Sequence, residues 1–92
     1  MSGMTIRTPS EMKKFATRID EYCASMRRVC NELKSKASSA APMMKDEKSK
    51  KARQKIEALA DALIGGLPEA EGVAETLRNA AKPLEETQNI SM

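Results

Sequence analysis

Residues 12–33 read MKKFATRIDEYCASMRRVCNEL, and the apolar side chains among them decide the fold. Met12, Phe15, Ile19, Tyr22, Met26, Val29 and Leu33 follow one another at steps of 3, 4, 3, 4, 3 and 4. That alternation repeats every seven residues and lines all of them up on one stripe of an α-helix, whereas a strand would need a period of two. With Met12 as heptad position a, the e positions are Ala16, Cys23, Cys30 and Ala37, all small, so the stripe takes in a, d and e. A stripe of that width suits a helical bundle better than an isolated two-stranded coil. Lys13, Lys14, Asp20, Glu21, Arg27, Arg28 and Lys34 make up the opposite, solvated face.

The helix begins where the preceding residues say it should. Thr8-Pro9-Ser10-Glu11 offers a capping hydroxyl, a proline in the first helical position and a glutamate three residues after the cap. Ile6, ahead of the cap, is placed to pack on Met12, and residues 1–7 read as a short lead. The first helix is therefore expected over about 8–38, a rod of roughly 42 Å from Thr8 to Lys36 at 1.5 Å per residue. Residues 35–44, SKASSAAPMM, interrupt the pattern, and Pro42 disfavours the helical region for Ala41, so a turn is expected at 39–45. Asp46 and Glu47 then supply the negative charge favoured at a new helix N-terminus.

The second arm, about 46–82, carries Ala52, Ile56, Leu59, Leu63, Gly66, Ala70, Val73, Leu77, Ala80 and Leu84, again at alternating steps of 4 and 3. Gly65-Gly66-Leu67-Pro68 interrupts this row chemically but not in phase, which predicts a kink or short break near 65–68. Pro83 and the residues after it, 83–92, read as a polar tail. The predicted fold is all-α: a single domain over 1–92 forming an antiparallel helical hairpin with a kinked or broken second arm. A hairpin buries each stripe on one neighbour only, and stripes this wide have room for two. Pairing with another hairpin into a four-helix bundle is expected.

Composition narrows the function. Of 92 residues, 32% are charged, 40% hydrophobic and 2% aromatic, with no His and no Trp. The absence of His removes the commonest general base and metal ligand, so no enzyme, no cofactor and no metal site are expected. Cys23 and Cys30, seven residues apart on one helix, would have Cα atoms roughly 10 Å apart, beyond the about 7 Å limit for a disulfide. They read as reduced, small apolar residues in a packed seam; a cysteine enzyme or redox sensor would lack an activating base. No apolar run approaches a membrane span and no secretory signal precedes the first helix, so cytoplasmic synthesis without a cleavable signal peptide is expected.

The net charge of +3 is unevenly divided. Residues 1–55 hold 14 Lys/Arg against 6 Asp/Glu, net +8, and residues 56–92 hold 2 against 7, net −5. Halves of opposite sign suit a chain that folds back, or two chains packed side by side. Arg27, Arg28, Lys34, Lys36 and the run from Lys45 to Lys55 would also serve a small nucleic-acid-binding or regulatory module. The acidic second half and the lack of stacking aromatics argue against nucleic acid.

The layout resembles a family. A short lead, Ile6-Arg7-Thr8-Pro9 opening a long amphipathic helix, a turn near 40–45 and a second long arm are similar to the WXG proteins of type VII secretion, including the small partners of LXG toxins. The Trp-x-Gly turn is absent, since the corresponding residues are Ala41-Pro42-Met43-Met44, and no Tyr-x-x-x-Asp/Glu export signal follows the second arm. The resemblance implies a partner that masks or carries an effector toxin by binding its helical leader or a sister hairpin, and that leaves the cell with it, if at all. Self-association as a homodimer is the remaining form of pairing. The residues expected to bind a partner are Phe15, Ile19, Tyr22, Met26 and Val29 on the first arm and Ile56, Leu59, Leu63, Val73 and Leu77 on the second.

Overall fold

The computed structural model describes residues 8–90, with side chains through residue 87. The lead 1–7, the packing of Ile6 on Met12 and the end of the tail lie outside the described residues. Two α-helices make up the fold: α1, Pro9–Ala40, and α2, Glu47–Ile90, with no strand among the described residues. The expected all-helical, hairpin-like connectivity is what the chain shows.

Each helix starts on a cap. The amide of Glu11 donates to Thr8 Oγ1 at 3.2 Å, and the Thr8 hydroxyl in turn donates to Glu11 Oε1 at 3.1 Å. At α2 the amide of Ser49 donates to Asp46 Oδ2 at 3.2 Å. Both arrangements satisfy N–H groups that the first turn of a helix cannot satisfy for itself. The connection closes with the amides of Met43 and Met44 donating to the Ala40 carbonyl at 2.9 and 3.0 Å. No residue in it takes a positive φ.

The second arm departs from the sequence expectation in two respects. Of the kink or short break expected at 65–68 the break is absent, since α2 is one continuous helix through Gly65, Gly66 and Pro68, and α2 passes Pro83 to reach Ile90 instead of giving way to a polar tail after Lys82. The reason is positional. Pro68 and Pro83 both sit on exposed faces of α2, where the carbonyls deprived of a proline N–H can be solvated. Leu67, between the glycines and Pro68, is only 6% exposed and holds the helix in register with its partner there. Both glycines keep negative φ, so neither forms a left-handed cap.

The chain divides into two compact units, one joining α1 up to Tyr22 with α2 from Pro68 onward, the other comprising Cys23–Leu67. In each unit α1 and α2 run antiparallel, shown in the first by ion pairs from Lys13 to Glu85 and from Asp20 to Arg78. In the second, Lys34 Nζ lies 2.6 Å from Asp61 Oδ1 and the Cys23 thiol faces the Leu67 carbonyl. The interhelical core is made almost entirely of small side chains. In the first unit the buried residues are Pro9, Ala16, Ala74 and Ala81, and in the second they are Cys23, Cys30, Ala37, Ala60 and Leu67.

Candidate functional site

The buried positions recur with a strict period of seven: 9, 16, 23, 30 and 37 on α1, and 60, 67, 74 and 81 on α2. One contact line per helix is all that a two-helix packing can bury, and this chain has given that line to its smallest side chains. Small residues allow the helix axes to approach closely, which is what their placement there accomplishes. The sequence pattern had marked the α1 row as the flank of a wider stripe. The matching α2 row was missed altogether, although its signal is present as Ala60, Ala74 and Ala81 at heptad spacing.

The large apolar residues lie one and four positions before each core residue. In an antiparallel pair with the same offset on both helices, those positions from α1 and α2 fall on the same side of the pair. In the first unit this brings Phe15, Ile19 and Tyr22 of α1 beside Ala70 and Val73 of α2, which with Arg18 line an open groove of ≈ 420 Å³. Leu77 and Leu84 continue the stripe on α2, the latter exposed. In the second unit Met26, Val29 and Leu33 occupy the corresponding positions on α1 and Ile56, Leu59 and Leu63 those on α2.

None of the ten residues expected to bind a partner is in the core. Tyr22 is 62% exposed, Leu59 60% and Val73 50%, while Val29, Ile56 and Leu63 are also exposed. Phe15, Ile19, Met26 and Leu77 are half-buried at the edge of the contact line. Phe15, Ile19, Tyr22, Val73 and Leu77 belong to the first unit, and Met26, Val29, Ile56, Leu59 and Leu63 to the second.

The opposite flank of each pair, three positions before each core residue on α1, is polar and cross-linked by charge. Lys13, Asp20 and Lys34 stand there, joined to Glu85, Arg78 and Asp61 on α2. Asp61 holds the Lys34 ammonium above its usual pKa by hydrogen bonding and by charge attraction. These pairs are exposed or nearly so, and water and salt screen them, so they orient the flank more than they stabilise it. Each unit is thus amphipathic as a unit, with a charge-paired flank and an apolar one.

Cys23 and Cys30 are free thiols with no exposed surface. No group of three or more His, Cys, Asp or Glu able to hold a metal ion occurs among the described residues, and no described helix is long and apolar enough to cross a membrane. Comparison with protein-family models found no match, and neither the curated proteins nor the solved structures yielded one.

Proposed function

We propose that this chain is a non-enzymatic docking protein, which acts by laying its apolar flank against another long-helix protein to complete a helical bundle. The observation that carries the reading is the inverted distribution of apolar side chains. The largest fully buried side chains are Cys23 and Cys30, while Tyr22, Leu59, Val73 and their neighbours face outward. Fully burying a Leu, Ile or Val is worth about 1.5–3 kcal/mol, against about 0.8 kcal/mol for each methylene-sized group. Most of the apolar burial this sequence can yield therefore still awaits a partner. Exposed apolar stripes at helical spacing on two adjacent helices fit a helical partner, since its side chains interdigitate with the same 3–4 spacing.

The partner is a sister hairpin or the helical leader of an effector toxin. The second of these rests on the likeness of layout to the small type VII secretion proteins, in particular the long helix opened by Thr8-Pro9. The role is carriage or masking, with no chemistry of its own.

The test is co-expression of the tagged chain with the product of the adjacent coding sequence, followed by purification through the tag. Ile19→Glu together with Met26→Glu should abolish a complex that forms with the unmodified chain, because a charge in an apolar contact costs several kcal/mol unless solvated. Lys50→Glu with Lys51→Glu, away from the apolar flank, should leave it intact. A complex that survived the first pair and was lost with the second would overturn the reading in favour of the basic patch.

A further inference from the structure

The apolar flank does not account for the turn end of the second unit, beyond Leu33 on α1 and ahead of Ile56 on α2. Eight uncharged residues, Ala37-Ser38-Ser39-Ala40-Ala41-Pro42-Met43-Met44, carry the chain off α1 and into the connection. Met43 among them is 87% exposed, the most of any large apolar residue described. Lysines stand on both sides of the stretch, Lys36 before it and Lys45, Lys48, Lys50 and Lys51 after it. All five are exposed, and none forms an ion pair among the described residues, unlike Lys34, which holds Asp61. Residues 34–51 hold six Lys against Asp46 and Glu47, net +4, and the Asp46 carboxylate already accepts the Ser49 amide.

Nothing in the hairpin itself favours this arrangement. Lys48, Lys50 and Lys51 lie at the start of α2, where the helix dipole disfavours positive charge, and Met43 leaves its side chain in water. Two local rules broken at one place, with no compensating contact there, mark it as a place where another surface is met. Along the helix axes Lys36 stands about 6 Å before the end of α1 and Lys51 about 6 Å past the start of α2. Flexible lysine stems bridge such a distance, so all five ammonium groups can reach the level of the turn, whereas Lys55, about 12 Å along α2, stands back from it.

We propose that this end of the second unit rests on an anionic lipid surface, with Met43 entering the headgroup region and the five ammonium groups meeting lipid phosphates and carboxylates. Apolar entry and charge attraction add at such a surface, and neither needs a spanning segment, which no described helix offers. A nucleic acid duplex would use the lysines and leave Met43 without a contact; a single strand would be met by stacking aromatic side chains, which residues 34–51 lack.

Lipid vesicles and the full chain test this. The sequence has no Trp, so Met43→Trp and, separately, Val73→Trp each report on one position by fluorescence. With vesicles of equal parts phosphatidylcholine and phosphatidylserine, emission at position 43 should shift to the blue, and emission at position 73, on the apolar flank, should not. Vesicles of phosphatidylcholine alone should shift neither. Binding should loosen as salt rises from about 0.05 to about 0.5 M, because screening shortens the reach of the surface charge. In vesicle sedimentation, Lys50→Glu with Lys51→Glu should bind about twentyfold or more weakly, at about fivefold for each lysine lost from an anionic surface. Met43→Ser should bind about tenfold more weakly, from the lost transfer of one apolar side chain. Circular dichroism should show unchanged helicity for every variant, since each altered residue is exposed. A shift at position 73 without one at position 43, or an equal shift on uncharged vesicles, would overturn the proposal. So would retention of duplex DNA without binding to vesicles, which would give the lysines to nucleic acid, or binding to neither. The docking reading is tested separately through Ile19 and Met26, so either can fail while the other holds.

Discussion

The buried thiol of Cys23 on α1 donates to the main-chain carbonyl of Leu67 on α2, Sγ to O 3.9 Å. This contact places a small, fully buried side chain against the backbone of the stretch where α2 has two glycines behind it and a proline ahead. A thiol is a weak donor, so the contact matters chiefly for how closely the two helices approach.

Replacing Cys23 and Cys30 together by Ala should therefore leave the helices and any pairing intact. The loss should be about 0.5–1.5 kcal/mol per site, the range for removing one heavy atom from a packed core. Urea denaturation of the double variant against the unmodified chain measures it. Cys30→Leu should be worse than Cys30→Ala, at about 1–3 kcal/mol, because the extra methyl groups must force the helices apart. If the double Ala variant stayed folded but lost all pairing, a covalent or ligand role for the thiols would have to be considered.

The helices themselves were legible from residues 8–33, where the Thr8-Pro9-Ser10-Glu11 cap and the 3–4 spacing agree at every step. Which stripe faces inward was not. Large side chains at Phe15, Tyr22 and Val29 read as the interior of a bundle, and a bundle of four helices would bury them. Within one chain, only a single contact line is available, and closest approach goes to Ala16, Cys23, Cys30 and Ala37. The continuity of α2 was hidden for a related reason. Gly65, Gly66 and Pro68 favour a stop locally, but Ala60, Leu67 and Ala74 keep the helix on its contact line across them, and packing outweighs local propensity.

Gly65 lies on the outward side of α2, in α-helical structure, and a methyl group built on it meets nothing within 4 Å. Gly65→Ala should stabilise the chain by about 0.5–1 kcal/mol, since alanine loses less backbone freedom in a helix and nothing has to move. Thermal unfolding followed by circular dichroism should show a higher midpoint with unchanged helicity. Destabilisation there would mean that the glycine is required by a neighbour, because the isolated chain has room for a side chain.

The N-terminus of α2 should be acid-sensitive. Hydrogen bonding to Ser49 holds the Asp46 carboxyl below its ordinary value of 3.8. A carboxyl whose pKa is lower in the folded chain binds fewer protons there than when unfolded. Its stabilising contribution is present above the unfolded value of about 3.9 and is lost as the pH falls through the lower, folded one. Asp46→Asn can still accept the Ser49 amide but does not titrate. The difference in thermal midpoint between the unmodified chain and this variant should thus shrink or reverse between about pH 5 and about pH 2. A pH-independent difference would show that the carboxylate form does not matter to the cap.

Val73 and Ala74 are consecutive on α2 and should respond oppositely to the same substitution. Val73 is half exposed on the apolar flank, and Ala74 is wholly buried on the contact line with α1. A glutamate at position 73 can keep its carboxylate in water, so Val73→Glu should change the stability of the isolated chain by no more than about 0.5 kcal/mol, as is usual at exposed sites. It should still abolish pairing, because any partner laid on Phe15, Ile19 and Tyr22 would have to bury that charge. Ala74→Glu has no such outlet. It must either bury an unpaired carboxylate or push the helices apart at their closest approach, and should unfold the first unit outright at a cost of several kcal/mol. Circular dichroism and sedimentation of both variants separate the two effects: full helicity with lost association at position 73, and lost helicity at position 74. Were Val73→Glu to associate as well as the unmodified chain, the apolar flank would not be the surface through which this protein meets its partner.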